Sequence, residues 1–154
     1  ERVGSTAAIS TVAIVALGTG MGIGRWYGGL VLKRFALDTQ LLAIIAVQFL
    51  GFLGFWLSHN MVLSLLCLLV VGLGISMQFA LSSIRLIGLS DGRPDLAIGR
   101  ASLAAGVAIA GAPFLLGLLG DSFGISRAYI MVFVLIGIAF IIVKVIPSHV
   151  KESV

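Results

Sequence analysis

The stretch that decides the fold is residues 61–84, MVLSLLCLLVVGLGISMQFALSSI, which contains no Asp, Glu, Lys or Arg. It belongs to a longer uncharged run between Asp38 and Arg85. A bilayer core of about 30 Å needs roughly 20 apolar residues per helix, so this run is too long for one span and long enough for two. The polar residues at 58–60 divide it, which predicts spans of about 37–57 and 61–87.

Three further apolar runs predict spans of about 3–32, 96–120 and 128–146. The last span includes Lys144, whose long side chain can reach the interface near a helix end, and Pro147 follows it. The whole chain is 60% hydrophobic and 10% charged, and its mean hydropathy is +1.20. Continuous apolar runs favour helices over barrel strands, in which polar and apolar residues alternate. The sequence therefore predicts a single all-α integral membrane domain of about five transmembrane helices.

The basic residues predict the orientation of these spans. When loops are assigned alternately to the two sides, only Arg2 and Arg127 fall on one side. The other side receives Arg25, Lys33, Arg34, Arg85, Arg93, Arg100, Lys144 and Lys151. The positive-inside rule then places the N-terminus outside and the C-terminus in the cytoplasm, and the plasma (cytoplasmic) membrane is the expected location. Because topology accounts for the basic charge, we expect no nucleic-acid partner.

Two stretches resemble the major facilitator superfamily of secondary transporters. Residues 18–35, GTGMGIGRWYGGLVLKRF, are similar to the end of that family's eighth helix and the loop after it. Residues 100–124, RASLAAGVAIAGAPFLLGLLGDSFG, are similar to its eleventh helix. The loop at 32–36 departs from the family pattern, since it has neither the acidic residue nor the glycine of that motif.

The resemblance implies that the chain corresponds to helices eight to twelve, a partial bundle of that family and a fragment of a twelve-helix transporter. Its implied partners are the lipid bilayer, a small-molecule solute, and the seventh helix with the opposing transporter half. The implied mechanism is alternating access around a site near the middle of the membrane.

Small residues and prolines are the candidates for helix packing or gating. Glycines four residues apart allow close helix contact in any polytopic membrane protein, so packing alone is one interpretation and a sliding surface is the other. Arg25 is either a positive-inside anchor or a contact between helices. Pro113 is either a plain kink or a gating bend. The candidate set is Gly18, Gly22, Gly24, Arg25, Gly28, Gly106 and Pro113.

Polar residues on otherwise apolar helices are candidates for the substrate pathway. At 100° per residue, Gln78 and Ser82 fall on one stripe of the third span, together with Gly74 and Arg85. Thr11 marks a similar stripe on the first span, and Ser102 marks one on the fourth. A hydrogen bond to a neighbouring helix is the alternative role for Gln78.

Two functions remain open from the sequence. The first is part of a secondary active or facilitative transporter that moves a small solute. The alternative is a small, non-transporting assembly or scaffold subunit. An enzyme is not expected, because the six acidic residues are predicted to lie in loops or chain ends. No cofactor or metal is expected, since Cys67 is the only cysteine and His59 and His149 are predicted to lie on opposite sides of the membrane.

Overall fold

The structure is a computed structural model that describes residues 7–32 and 34–146, and all regular elements in these ranges are helices. The prediction of an all-helical chain is thus confirmed. Arg2, Lys33, Lys151, Pro147 and residues 3–6 of the predicted first span lie outside the described residues. The helices are α1 (Ala7–Leu32), α2 (Leu37–Leu57), α3 (Met61–Ile75), α4 (Gln78–Gly88), α5 (Pro94–Phe123), α6 (Ile125–Ala128) and α7 (Ile130–Val145).

Within residues 7–32 and 34–146, four helical stretches are long and apolar enough to cross a membrane. They are α2, α3 together with α4, α5, and α6 together with α7. α1 also has the length of a span, since its 26 residues extend about 39 Å at 1.5 Å per residue. These lengths are compatible with a membrane location.

The third predicted span differs from expectation, because it consists of two helices separated by Ser76 and Met77. Three acidic residues also lie within helices, although they were predicted to lie in loops or chain ends. Asp38 and Asp95 lie in the first turns of α2 and α5, and Asp121 lies in the last turn of α5 rather than in a loop. A carboxylate in a first turn is favoured by the partial positive charge of a helix N-terminus.

Local sequence explains where these helices begin and end. Asn60 caps α3, and its side-chain oxygen accepts hydrogen bonds from the amides of Val62 at 2.9 Å and Leu63 at 3.5 Å. Asp91 and Gly92 adopt positive φ in the turn before α5, at 49° and 81°. Gly124, with φ of 83°, ends α5 in a backbone conformation that favours glycine.

The chain divides into two compact units, residues 1–82 and 83–154. In the first unit α3 packs against both α1 and α2. Gly20 of α1 lies beside Gly72 of α3, and Gly24 lies beside Ser76, so α1 and α3 run in the same direction. α2 runs the opposite way, because its Gly51 lies beside Val71 and its later Gly54 lies beside the earlier Cys67. Alternating directions are what three successive membrane crossings require.

The core of the first unit lies where these helices meet. Its most buried side chains are those of Leu41, Ile44, Ile45, Phe52, Val71 and Leu81. In the second unit the most buried apolar side chains are those of Ala97, Ala128, Ile136 and Val143. The central, most apolar part of α5 has no buried residue within the described chain. Apolar side chains there, such as Leu103 and Ile109, are open to the surroundings.

Candidate functional site

The break between α3 and α4, formed by Ser76 and Met77, is the main irregularity within a membrane-length helix. The Ser76 amide still donates to the Gly72 carbonyl at 3.1 Å, and the helix resumes where the Leu81 amide donates to the Met77 carbonyl at 2.9 Å. Between these points the Ser76 hydroxyl donates to the Leu73 carbonyl at 2.7 Å. Serine hydroxyls that bond back to the preceding turn compete with the helical ladder and often bend a helix.

α1 lies directly against this break. A Cβ atom on Gly24 would overlap the Ser76 hydroxyl and would lie 3.0 Å from the Leu73 carbonyl oxygen. A Cβ atom on Gly28 would lie 2.7 Å from the Met77 sulfur. Gly24 is therefore needed for the helices to approach this closely, whereas at position 28 the flexible Met77 side chain could move aside. These two residues were predicted as packing candidates, and the structure places them against the break.

Arg25 contacts the same break through its side chain. Its Nε donates to the Ser76 carbonyl oxygen at 3.5 Å, a long hydrogen bond. The side chain is exposed, and it makes no ion pair with any residue that the structure describes. Arg25 lies seven residues before Leu32, so α1 continues about 10 Å beyond it.

The closest helix contact uses glycines outside the predicted set. A Cβ atom on Gly20 would overlap the Leu69 carbonyl oxygen, and one on Gly72 would overlap the Leu17 carbonyl oxygen. Around Gly18 and Gly22, by contrast, no atom would lie within 4 Å of an added Cβ. Two of the predicted glycines thus face open space in the described chain. The four-residue spacing of Gly20, Gly24 and Gly28 is the sequence pattern that indicates the face of α1 in contact with α3.

The residues of the predicted polar stripe on the third span differ in burial. Gly74 is buried against α2, where an added Cβ would lie 2.9 Å from the Cβ of Gln48. Gln78 is half-buried and Ser82 is exposed, both after the break. Thr11 on α1 is exposed as well.

The remaining candidates lie in the second unit. Ser102, Gly106 and Pro113 are all exposed on α5, and nothing would lie within 4 Å of a Cβ on Gly106. α5 continues as one helix through Pro113. These three residues therefore lie on one helix and are left uncovered by the rest of the described chain.

A buried arginine is the most constrained charged group in the second unit. Arg85 is 8% exposed, and its Nη2 donates to the main-chain carbonyls of Val143, at 3.3 Å, and of Ile146. Both acceptors belong to the C-terminal end of α7, where carbonyl groups have no partner within the helix. A cation at this position also complements the partial negative charge of a helix C-terminus. Sequence reasoning counted Arg85 as a basic residue of the inner side and as a member of the polar stripe on the third span.

The described residues are helical and include membrane-length segments, of which one is interrupted at Ser76 and Met77 and another at Tyr129. Two of their arginines bind main-chain carbonyls. No protein family, curated protein or solved structure matches this chain.

Proposed function

We propose that this chain is part of a membrane transporter that moves a small solute by alternating access, and that it supplies helices eight to twelve of a bundle of the major facilitator type. The sequence resemblance at residues 18–35 and 100–124 supports the family. The α3–α4 break is the observation that carries the function.

A break inside a membrane-length helix is unfavourable unless something compensates for it. Backbone groups freed in the membrane must find other partners, and irregular backbone is tolerated where it is buried in protein or lines a cavity. Here the partners are side chains, the Ser76 hydroxyl on the Leu73 carbonyl and Arg25 on the Ser76 carbonyl. Side-chain hydrogen bonds can be exchanged as a helix bends, so this break is suited to movement. Interrupted helices also form the binding sites of many secondary transporters.

The contact between α1 and α3 supports the same function. Gly20, Gly24 and Gly72 bring main-chain atoms of the two helices together without interlocking side chains. A smooth glycine contact resists sliding less than interdigitated leucines do. A scaffold subunit gains stability from close packing but gains nothing from the neighbouring break, so we place that alternative second.

Gln78 provides the test of this proposal. It lies immediately after the break and is half-buried, so its amide is suited to exchange hydrogen bonds with a solute. In the complete protein that contains residues 1–154, Gln78→Ala should lower solute flux several-fold. Flux is measured in proteoliposomes with a panel of radiolabelled amino acids, sugars and organic acids.

Gln48→Ala is the matched control. Gln48 packs on Gly74 through its Cβ, which alanine retains, so flux should change little. Equal losses from both substitutions would show that the pathway does not pass Gln78. If the complete protein transports no solute of the panel, the scaffold subunit becomes the preferred proposal over the transporter.

A further inference from the structure

At the α3–α4 break, side chains donate hydrogen bonds to carbonyl groups that main-chain amides would bind in a regular helix. In a continuous helix the Leu73 carbonyl would accept from the Met77 amide, four residues later. The Ser76 carbonyl would likewise accept from the Ala80 amide. Neither main-chain bond forms among the described residues. Instead, the Ser76 hydroxyl donates to the Leu73 carbonyl at 2.7 Å, and Arg25 of α1 donates to the Ser76 carbonyl at 3.5 Å.

These two side-chain donors stabilise the break. A carbonyl oxygen without a partner is unfavourable in a membrane, because no water replaces the lost hydrogen bond. Ser76 is 7% exposed, so water has little access to its hydroxyl. Without the hydroxyl and the guanidinium, the carbonyls of Leu73 and Ser76 would lose these partners unless the helix closed. The two donors therefore favour the interrupted form over a continuous helix.

The backbone at the break has a conformation from which the helix can close. Ser76 has a φ of −53° and a ψ of −39°, which are the angles of an α-helix. The break contains no proline, and neither Ser76 nor Met77 has a positive φ. Closure therefore requires that main-chain hydrogen bonds replace side-chain hydrogen bonds, and it does not require a residue to leave a strained conformation.

One of the two donors belongs to α1, so the state of the break depends on the position of that helix. Arg25 reaches the Ser76 carbonyl because Gly24 allows α1 to lie against the Ser76 hydroxyl, where a Cβ atom on Gly24 would overlap it. If α1 moves away, the Ser76 carbonyl loses its donor from Arg25. The Ala80 amide, its partner in a regular helix, can then replace that donor. Separation of α1 from α3 therefore favours the continuous helix.

We propose that α3 and α4 form a conformational switch, which is interrupted while α1 is in contact and becomes one continuous helix when α1 separates. The Ser76 hydroxyl and the Arg25 guanidinium are the positioning groups that hold the interrupted state. In the continuous state the carbonyls of Leu73 and Ser76 accept from main-chain amides, so these carbonyls have partners in both states. The switch is a property of the fold and its test needs no transport, so its outcome is independent of the proposed function.

The test measures amide hydrogen exchange of the full chain in lipid nanodiscs, resolved by residue with NMR. In Ser76→Ala the hydroxyl is removed, so the amides of Met77 and Ala80 should become hydrogen-bonded and exchange about tenfold more slowly. Ser64→Ala is the matched control, because it removes the same group from an equally buried position on α3 and should leave both rates unchanged. Since the lipid is the same in both variants, the comparison isolates the change in hydrogen bonding.

A second pair of variants tests the dependence on α1. Gly24→Ala should push α1 away from Ser76 and slow exchange of the same two amides, whereas Gly22→Ala, which faces open space, should not. If Gly24→Ala does not fold, Arg25→Gln replaces it and should slow exchange of the Ala80 amide. Unchanged exchange in Ser76→Ala or in the α1 variant would overturn the proposal. Equal slowing in the two control variants would overturn it as well.

Discussion

Individual glycines decide how closely the helices of the first unit approach. Gly20 and Gly72 meet where a side chain on either would overlap main-chain oxygen, whereas Gly22, on the same helix, faces open space. Both Gly20 and Gly22 belong to four-residue glycine repeats, so spacing alone predicted two possible faces. Only the position of α3 selects between them.

Substitution by alanine separates the two faces. Gly20→Ala should lower the free energy of unfolding by about 1–3 kcal/mol, because the new methyl group forces α1 away from the Leu69 carbonyl. Gly22→Ala should leave it unchanged or raise it by up to about 1 kcal/mol, since alanine favours the helix and has free space. Unfolding by a denaturing detergent, followed by circular dichroism, measures both. A larger loss from Gly22→Ala would mean that α1 presents its other face to α3.

At the scale of helices, two arginines satisfy carbonyl groups that regular structure leaves open. Arg25 binds a carbonyl at the α3–α4 break, and Arg85 binds two at the end of α7. A positive charge near a helix C-terminus is favourable in both cases. Arg25 is exposed, whereas Arg85 is buried. We therefore expect substitution of Arg85 to destabilise the structure more than substitution of Arg25.

Removal of Arg85 should loosen the end of α7. In Arg85→Ala the carbonyls of Val143 and Ile146 lose a charged donor, a loss of about 1.5–3 kcal/mol. Hydrogen exchange of the amides at 142–146 should therefore accelerate by roughly tenfold or more. Arg100→Ala, an exposed residue of the same unit, is the control and should exchange like the unaltered protein. Unchanged exchange in Arg85→Ala would show that other contacts hold the end of α7.

At the scale of the whole molecule, the first unit has the alternating helix directions that successive membrane crossings need. α1 and α3 run together and α2 runs against them, as the glycine contacts show. The predicted spans 37–57 and 61–87 coincide closely with α2 and with α3 plus α4. The orientation of these helices across a membrane is a prediction from the basic residues alone.

Cysteine labelling tests this orientation. In a Cys67→Ser background, His59→Cys should react with an impermeant thiol reagent from outside the cell, and Arg93→Cys should react only after the membrane is opened. Both residues are exposed. His59 is preferable to Asn60, whose side chain caps α3. Labelling of both positions from the same side would show that α3 and α4 together do not cross the membrane.

The sequence by itself determined that the chain is all-helical and where most of the apolar helices begin and end. The free energy of transferring a side chain from water to lipid is a local property, and these free energies add along the chain. An uncharged run such as 39–84 therefore indicates a preference for lipid without knowledge of the neighbouring helices. Caps such as Asn60 are equally local.

Tertiary structure alone decided which helix faces meet, where the third span breaks and which carbonyls the arginines bind. In a water-soluble helix the apolar face indicates the core, but a membrane helix is apolar on its lipid face as well, so periodicity cannot separate packed from open surfaces. The break at Ser76 and the choice of Gly20 over Gly22 depend on the close approach of α1, which only the folded chain provides.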